Sequence, residues 1–503
     1  MSPSGFDRRL FWILGVALFI SYAYFYQAGG WNQNSRFALV RGILEHHSLQ
    51  IDAYHEETGD RAIWNGHYYS DKAPGASLVA LIPVDVARAA GSVIGVSPES
   101  ESGLTWSSYV ATLTASALFT VMAALAVLWL SLRWGFSSRA ALFAATAYAV
   151  ASPAWCYATL FMGHGLSAGC LMLAFAAAVA LDDASDQHAR RLAWTVGLAC
   201  GWAVVSDFPS AVPVVLIVGL ALLTVRMRGT RALSHVAVPI VAGGAISALV
   251  LLGYNMAAFG SPFHLGYASE EGFEQLHTGL FGISRPEWWR VREILVGSYR
   301  GLWPMSPLMA LAPIGLAVLA RTARQIRPAL VAAAIATFYL ALNASYFYWE
   351  GGWIVGPRQL APALPFLALG LAPLWDKWRS AGRVLLAACW TWGAALTLVA
   401  VSTTAQPPAS VERPLTDLLL PAFREGALGL NNQRFTDFRA DETAIRRHTP
   451  SGASWNLGMK VGLTGLASLV PLGFVWLGCG WWLSVVAAES KESSSTTRRG
   501  SSR

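Results

Sequence analysis

The chain has 503 residues, of which 54% are hydrophobic and only 13% charged, with 22 tryptophans and a formal net charge of +7. Too little charge is present to cover a soluble globule, and so many apolar residues fit a protein embedded in lipid. The positive charge does not speak for nucleic acid, because the chain shows no zinc pattern, recognition motif or long basic run.

Hydrophobic runs recur along nearly the whole length, most of them near the roughly 17–25 residues an α-helix needs to cross a bilayer core. They fall at 10–26, 106–132, 140–157, 166–181, 192–206, 211–225, 236–256, 302–320, 329–344, 361–375, 384–401 and 463–486. These are continuous runs without strand-like alternation, which predicts an all-α polytopic membrane protein with about twelve transmembrane helices. Basic clusters at Arg8/Arg9, Arg133/Arg139, Arg190/Arg191, Arg226/Arg228/Arg231, Arg321/Arg324/Arg327, Lys377/Arg379/Arg383 and Arg498/Arg499 all fall on one side of this arrangement. Short basic loops stay in the cytoplasm, so both termini are expected there. That agreement requires segment 76–96, interrupted by Pro83, Asp85 and Arg88, to lie along the outer surface as an interfacial helix.

The first run follows Arg8–Arg9 and closes on Tyr22, Tyr24 and Tyr26 without a small-residue cleavage site, which predicts a retained helix. All five cysteines sit in or at the ends of apolar runs, leaving the outer loops without a disulfide framework. The expected organisation is a polytopic domain over 1–402 with a large first outer loop at 27–103, and an extracytoplasmic loop or cap at 403–462. A last transmembrane helix at 463–488 and a disordered cytoplasmic tail at 489–503 complete it. Pro407, Pro408, Pro414, Pro421 and Pro450 speak against a large independent core in the cap.

The first outer loop concentrates the unusual chemistry. It carries Asn34–Ser35–Arg36–Phe37–Ala38–Leu39–Val40–Arg41, then Asp52, Thr58–Gly59–Asp60, and Asn65–Gly66–His67–Tyr68–Tyr69–Ser70–Asp71–Lys72–Ala73–Pro74–Gly75. Phe37, Val40, Ile43 and Leu44 recur at helical spacing, which predicts a juxtamembrane helix lying flat on the membrane. Around it the outer side receives His164 between two glycines, the turn Asp207–Phe208–Pro209, and Arg300 and Arg358 at outer helix ends.

This loop resembles that of the GT-C membrane glycosyltransferases, in particular the lipid A aminoarabinose transferase and protein O-mannosyltransferase branch. Those proteins carry an Asp-Glu-x-Arg-Tyr-Ala helix and an Asn-Gly-x-x-Tyr-x-Glu-Lys-Pro-Pro turn. Arg36, Asn65, Gly66, Tyr69, Lys72 and Pro74 match, with Asp71 in place of the glutamate. The acidic pair does not: Gln33 and Asn34 stand there, and neither can accept a proton as a carboxylate does.

The resemblance implies transfer of a sugar from a polyprenyl-phosphate donor to a glycan, lipid or protein acceptor. The protein would sit in the inner (plasma) membrane, with its active site on the periplasmic or extracellular side. Such chemistry needs a carboxylate within reach of the acceptor hydroxyl and cations at the departing phosphate. Asp60, Asp52 and Asp71, in that order, are the candidate bases, each alternatively a turn residue or a surface ion pair. Lys72 and Arg36 are the candidate phosphate ligands, Lys72 being alternatively a snorkelling anchor. Arg300 and Arg358 join them unless they pair with Glu293 or Glu350. His164 could bind phosphate, a metal or the acceptor, or be a structural residue. Asn65 and Tyr69 complete the substrate-binding set; Tyr68, Tyr69, Trp349 and Trp353 could stack on sugars or belong to the interfacial belt. No cofactor or obligate metal is expected, although His46–His47 with Asp52 or Asp60 could hold a divalent ion. A transporter, flippase or non-catalytic binding protein for lipid-linked sugars is the alternative. In an enzyme the loop aspartates should converge with Lys72 and Arg300 or Arg358 on one cavity, whereas a transporter would continue the polar path to the cytoplasm.

Overall fold

The computed structural model describes residues 8–227 and 230–500, of which 230–232 and 490–500 as backbone only. Among the described residues the fold is a bundle of helices with four very short strands, organised around an extended hydrophobic core with smaller satellite clusters. Among the described residues, eight helices are long and apolar enough to cross a membrane. Other apolar runs are broken by proline. Segment 140–157 splits into Ser138–Ala149 and Ala154–Ala158 around Pro153, and 302–320 into Leu302–Met305 and Leu308–Leu319 around Ser306–Pro307. Of the basic clusters, Arg228 lies outside the described residues, as do the side chains of Arg231, Arg498 and Arg499. The last helix runs Val470–Gly500; the side chains of the expected tail from 490 on, and residues 501–503 altogether, are likewise outside.

Helix α1 (Arg8–Ala23) is followed by strand β1 (Phe25–Tyr26) and helix α2 (Trp31–His46). Antiparallel strands β2 (Ala62–Trp64) and β3 (His67–Tyr69) form a hairpin, and helix α3 (Gly75–Val93) follows. The hairpin turn is Asn65–Gly66, both at positive φ (51° and 82°), as an Asn-Gly two-residue turn requires. Strand β4 (Trp455–Asn456) pairs antiparallel with β1, so the cap closes onto the end of α1 across the whole sequence.

By length and composition α3 could cross a bilayer, yet both its ends stay at one end of the bundle. Gly75 packs against Ser206, at the end of helix Asp186–Ser206. Beyond Val93 the chain turns into the long helix Glu101–Arg133, whose first residue pairs with Arg434 of the cap. One side of α3 leaves Ile82, Val86 and Val93 exposed, as an interfacial helix facing lipid would.

Helix α2 differs from the flat surface helix expected. From Asn32 through Gly42 it is buried on every side, beneath the cap and between α3 and segment 52–57. Its polar residues are therefore satisfied internally. Gln33 Nε2 donates to Gln406 Oε1 (2.6 Å), and Asn34 Nδ2 donates to the carbonyls of Glu57 (2.7 Å) and Arg434 (2.8 Å). Where the resembling proteins keep an acidic pair, this chain has two amides that tie the helix to the cap. Arg41 bridges Glu57 (2.7 Å) and Glu45 (3.3 Å), and Arg88 of α3 reaches the same Glu45 (2.5 Å), clamping the two helices together. The cap's own core is small, comprising Val411, Leu418, Ala422, Leu430 and Ile445.

Candidate active site

The site is built where α2, the turns at Asp60 and Lys72, and the ends of several bundle helices meet around a cavity of about 590 Å³. Asp60, Lys72, Arg36, His164 and Arg358 all line it. The Lys72 ammonium lies 2.8 Å from Asp60 Oδ2 and 2.5 Å from Asp71 Oδ2. Asp71 sits beneath, 1% exposed, and accepts a further hydrogen bond from Ser35 Oγ (3.2 Å) on α2. Asp60, at 10% exposed, faces the cavity. Gly59 allows this turn, because a Cβ there would run into the Trp31 indole.

Burial works against the Lys72 charge, but the carboxylates of Asp60 and Asp71 outweigh it and hold the ammonium well above its ordinary pKa. Burial pushes the Asp71 carboxyl up; Lys72 opposes the shift and Asp60 adds to it. Arg36 is anchored by Asn32 Oδ1 (3.0 Å) and the Ala73 carbonyl (2.7 Å). Burial draws its pKa down, against the surrounding Tyr267, Asp207, Asp71 and Asp60. A Cβ on Gly163 would lie 3.3 Å from Arg36 Nη2 and collide with the Ser206 carbonyl, so that glycine lets His164 and Arg36 share one wall.

Across the cavity, Arg358 lies over the Tyr348 ring (5.8 Å), and its Nε has no hydrogen-bond partner among the described residues. His164 Nδ1 is 3.5 Å from Asp207 Oδ2 without forming a hydrogen bond. Part of the lining is apolar and partly open to the surroundings, with Val212, Phe338, Ala341 and Leu342 contributed by helices Ala211–Arg226 and Ile326–Ser345.

Other nominated residues lie elsewhere. Asp52 accepts from the Tyr68 amide (2.6 Å) and meets His67 Nδ1 (2.7 Å), so it holds the β2–β3 hairpin. Asn65 occupies the hairpin turn and is exposed. Tyr69 is buried against Phe259 (5.2 Å) and hydrogen-bonds Gln50 (3.4 Å). Arg300 is buried behind the loop that carries Arg358, donating to the Gly352 carbonyl (3.0 Å) and stacking on Tyr299 (4.1 Å); among the described residues it forms no ion pair with Glu293, which Arg292 faces, or with Glu350. His46 stacks on Tyr54, and among the described residues no group of three or more His, Cys, Asp or Glu side chains is placed to hold a metal ion.

Three residues at or beside the site escaped nomination. Asp207 and Tyr267 line the cavity. Glu270 is buried against β2, receives the Phe273 amide on Oε2 (2.9 Å) and leaves Oε1 without a partner among the described residues. Burial raises its carboxyl to about 7, with Asp71 and Asp60 adding and Lys72 opposing. Asp207 had a sequence signal, since it directly follows an apolar run on the site side and precedes Pro209. Tyr267 and Glu270 had none, standing in a loop whose path only the fold reveals.

No family model matches the sequence, and no curated protein matches it. Among solved structures, the crystal structure of ArnT from Cupriavidus metallidurans bound to undecaprenyl phosphate aligns with a TM-score of 0.53 at 16% identity, over 97% of this chain and 78% of that one. The apo state of ArnT gives a TM-score of 0.49 at 16% identity over 95% and 72%. The archaeal oligosaccharyltransferase AglB from Archaeoglobus fulgidus, in complex with an inhibitory peptide and a dolichol-phosphate, gives 0.43 at 13% identity over 84% and 57%. Aligned over nearly its full length despite the low sequence identity, the chain has the same overall fold as ArnT.

Proposed function

We propose that the chain is an integral membrane glycosyltransferase that moves a sugar from a polyprenyl-phosphate donor to a glycan, lipid or protein acceptor. The observation that carries this reading is the Lys72 ammonium shared by Asp60 and Asp71 on a cavity that also presents Arg36 and Arg358. Three cations around one space suit a phosphate, and the partly open apolar lining suits an isoprenoid chain better than a transported solute. ArnT, whose fold is shared, is described bound to undecaprenyl phosphate. The site's end of the bundle would be the periplasmic or extracellular one, in a plasma membrane, with both chain termini in the cytoplasm.

In this reading Arg36, Lys72 and Arg358 hold the donor phosphate, and Asp71 positions Lys72 from below. An arriving phosphate competes with Asp60 for the ammonium and frees that carboxylate to act as base. The acceptor oxygen attacks the anomeric carbon as the bond to phosphate oxygen breaks. Its proton passes to Asp60, and the polyprenyl phosphate leaves with the bonding pair, its charge held by the three cations.

The test incubates purified protein with labelled polyprenyl-phosphate sugars and candidate acceptors. Asp60→Asn should lower transfer by about 10²–10⁴-fold, the usual share of a general base. Transfer unchanged in Asp60→Asn would remove the base assignment, and no transfer from any lipid-phosphate sugar would remove the reading itself.

A further inference from the structure

A second cavity, of about 640 Å³, lies on the other side of α2 from the reaction cavity. The two are separated by packed chain: Phe37 of α2 meets Phe435 of the cap (5.0 Å), and Asn34 holds the Arg434 carbonyl. One wall is a continuous set of rings. Tyr26 stacks on Trp455 (5.1 Å), Tyr109 touches both (5.9 and 5.4 Å), and Trp106 extends the wall beyond Tyr109 (6.3 Å). The Tyr26 and Tyr109 hydroxyls are already bonded, to Ser108 and the Ala23 carbonyl, which leaves only ring surface to offer a ligand.

Two carboxylates, Glu99 and Glu101, and two cations, Arg434 and Lys460, complete the lining. Their formal charges cancel, so the cavity has no preference for a purely anionic guest. Arg434 pairs with Glu101, and Glu99 is reached by Arg88 at 3.6 Å, all near the surface. The Lys460 ammonium lies 4.6 Å from the centre of the Trp455 ring, direct evidence that this wall accommodates an ammonium group. The rim is apolar and open: Trp106 and Leu457 line the cavity while 46% and 38% exposed, and neighbouring Val461 is 75% exposed. Tyr109 bonds the last residue of α1, which puts the cavity level with the end of a bundle helix, where lipid headgroups lie.

We propose that this cavity binds the headgroup of a zwitterionic phospholipid, with phosphate between Arg434 and Lys460 and the ammonium between the ring wall and the carboxylates of Glu99 and Glu101. The acyl chains would leave over Trp106 and Leu457. The faces of Trp455 are already taken by Tyr26 and Lys460, so the ring surface open to the ammonium is that of Trp106 and Tyr109. This site does not depend on sugar transfer at the other cavity.

The test reconstitutes the full chain in nanodiscs of equimolar phosphatidylethanolamine, phosphatidylcholine and phosphatidylglycerol, and counts retained lipids by native mass spectrometry. The two zwitterionic lipids should be retained over phosphatidylglycerol by about fivefold, the weight of one charge near a membrane surface. The variant E99Q/E101Q, altered only at exposed positions, should reverse that order, and Lys460→Ala should lower retention of all three. Equal retention by the wild type, an unchanged pattern in E99Q/E101Q, or saturable quenching of Trp106 by a neutral oligosaccharide without lipid preference would overturn the proposal.

Discussion

The Lys72 ammonium is held by two carboxylates of unequal exposure, Asp71 buried beneath it at 2.5 Å and Asp60 beside it at 2.8 Å on the cavity wall. Removing Asp71 leaves Lys72 paired to Asp60 but deletes the buried hydrogen bonds that Lys72 and Ser35 donate to the Asp71 carboxylate, and a hydrogen bond to a charged group contributes about 1.5–3 kcal/mol. Asp71→Asn should therefore lower stability by about 1.5–3 kcal/mol, seen as a drop in the thermal unfolding midpoint. Asp60→Asn should leave the fold nearly as stable while transfer falls. Equal stability losses in the two variants would contradict this division of labour.

Asp207 and His164 form a second polar pair beside Arg36, with neither satisfied by the other. Asp207→Asn should reduce transfer by about 10²-fold without moving the unfolding midpoint, if the carboxylate meets substrate during the reaction. Unaltered turnover would assign Asp207 to packing alone.

Asp52 should prove structural. Its carboxylate holds the Tyr68 amide and His67, and hydrogen bonds to a charged group contribute about 1.5–3 kcal/mol. Asp52→Ala should cost stability of that order and leave turnover of the folded protein unchanged, measured by denaturation and labelled-donor kinetics in parallel.

Glu270 predicts a pH signature. Its carboxyl is raised by burial to about 7 in the folded chain, against about 4.3 when unfolded. Between those values the folded state binds more protons than the unfolded one, so stability falls as pH rises from about 4.3 to about 7 and levels off above. Glu270→Gln should flatten that decline. A wild-type unfolding midpoint independent of pH across this window, with the same behaviour in the variant, would refute the assignment.

The sequence made the helical class, the site-bearing loop and the Asp60–Lys72 turn readable, because apolar run length and turn chemistry are local properties. Arg36, Lys72, His164 and Arg358 do meet at one cavity. Asp52, Asn65 and Tyr69 share the same loop but serve its hairpin, and only the pairing register separates the two roles. Helix α2 was misjudged for a related reason. Phe37, Val40, Ile43 and Leu44 mark one apolar face, but the cap that covers Gln33, Asn34 and Phe37 comes from residues some 400 positions away. Those distant contacts also explain Gln33 and Asn34, whose amides satisfy carbonyls that carboxylates could not.

The long helix Glu101–Arg133 contains one widened turn, a π-helical stretch at Leu113–Ala117. Ser116, within it, shares hydrogen bonds with the backbone of Met162 (3.2 and 3.4 Å), two residues before His164. The widened turn thus holds the backbone just before the helix that carries His164. Deleting a single residue there would restore regular winding and swing Ser116 by about 100° around the axis. A helix that kept its length, apolarity and place in the bundle would then present a blank face to the backbone that leads into His164.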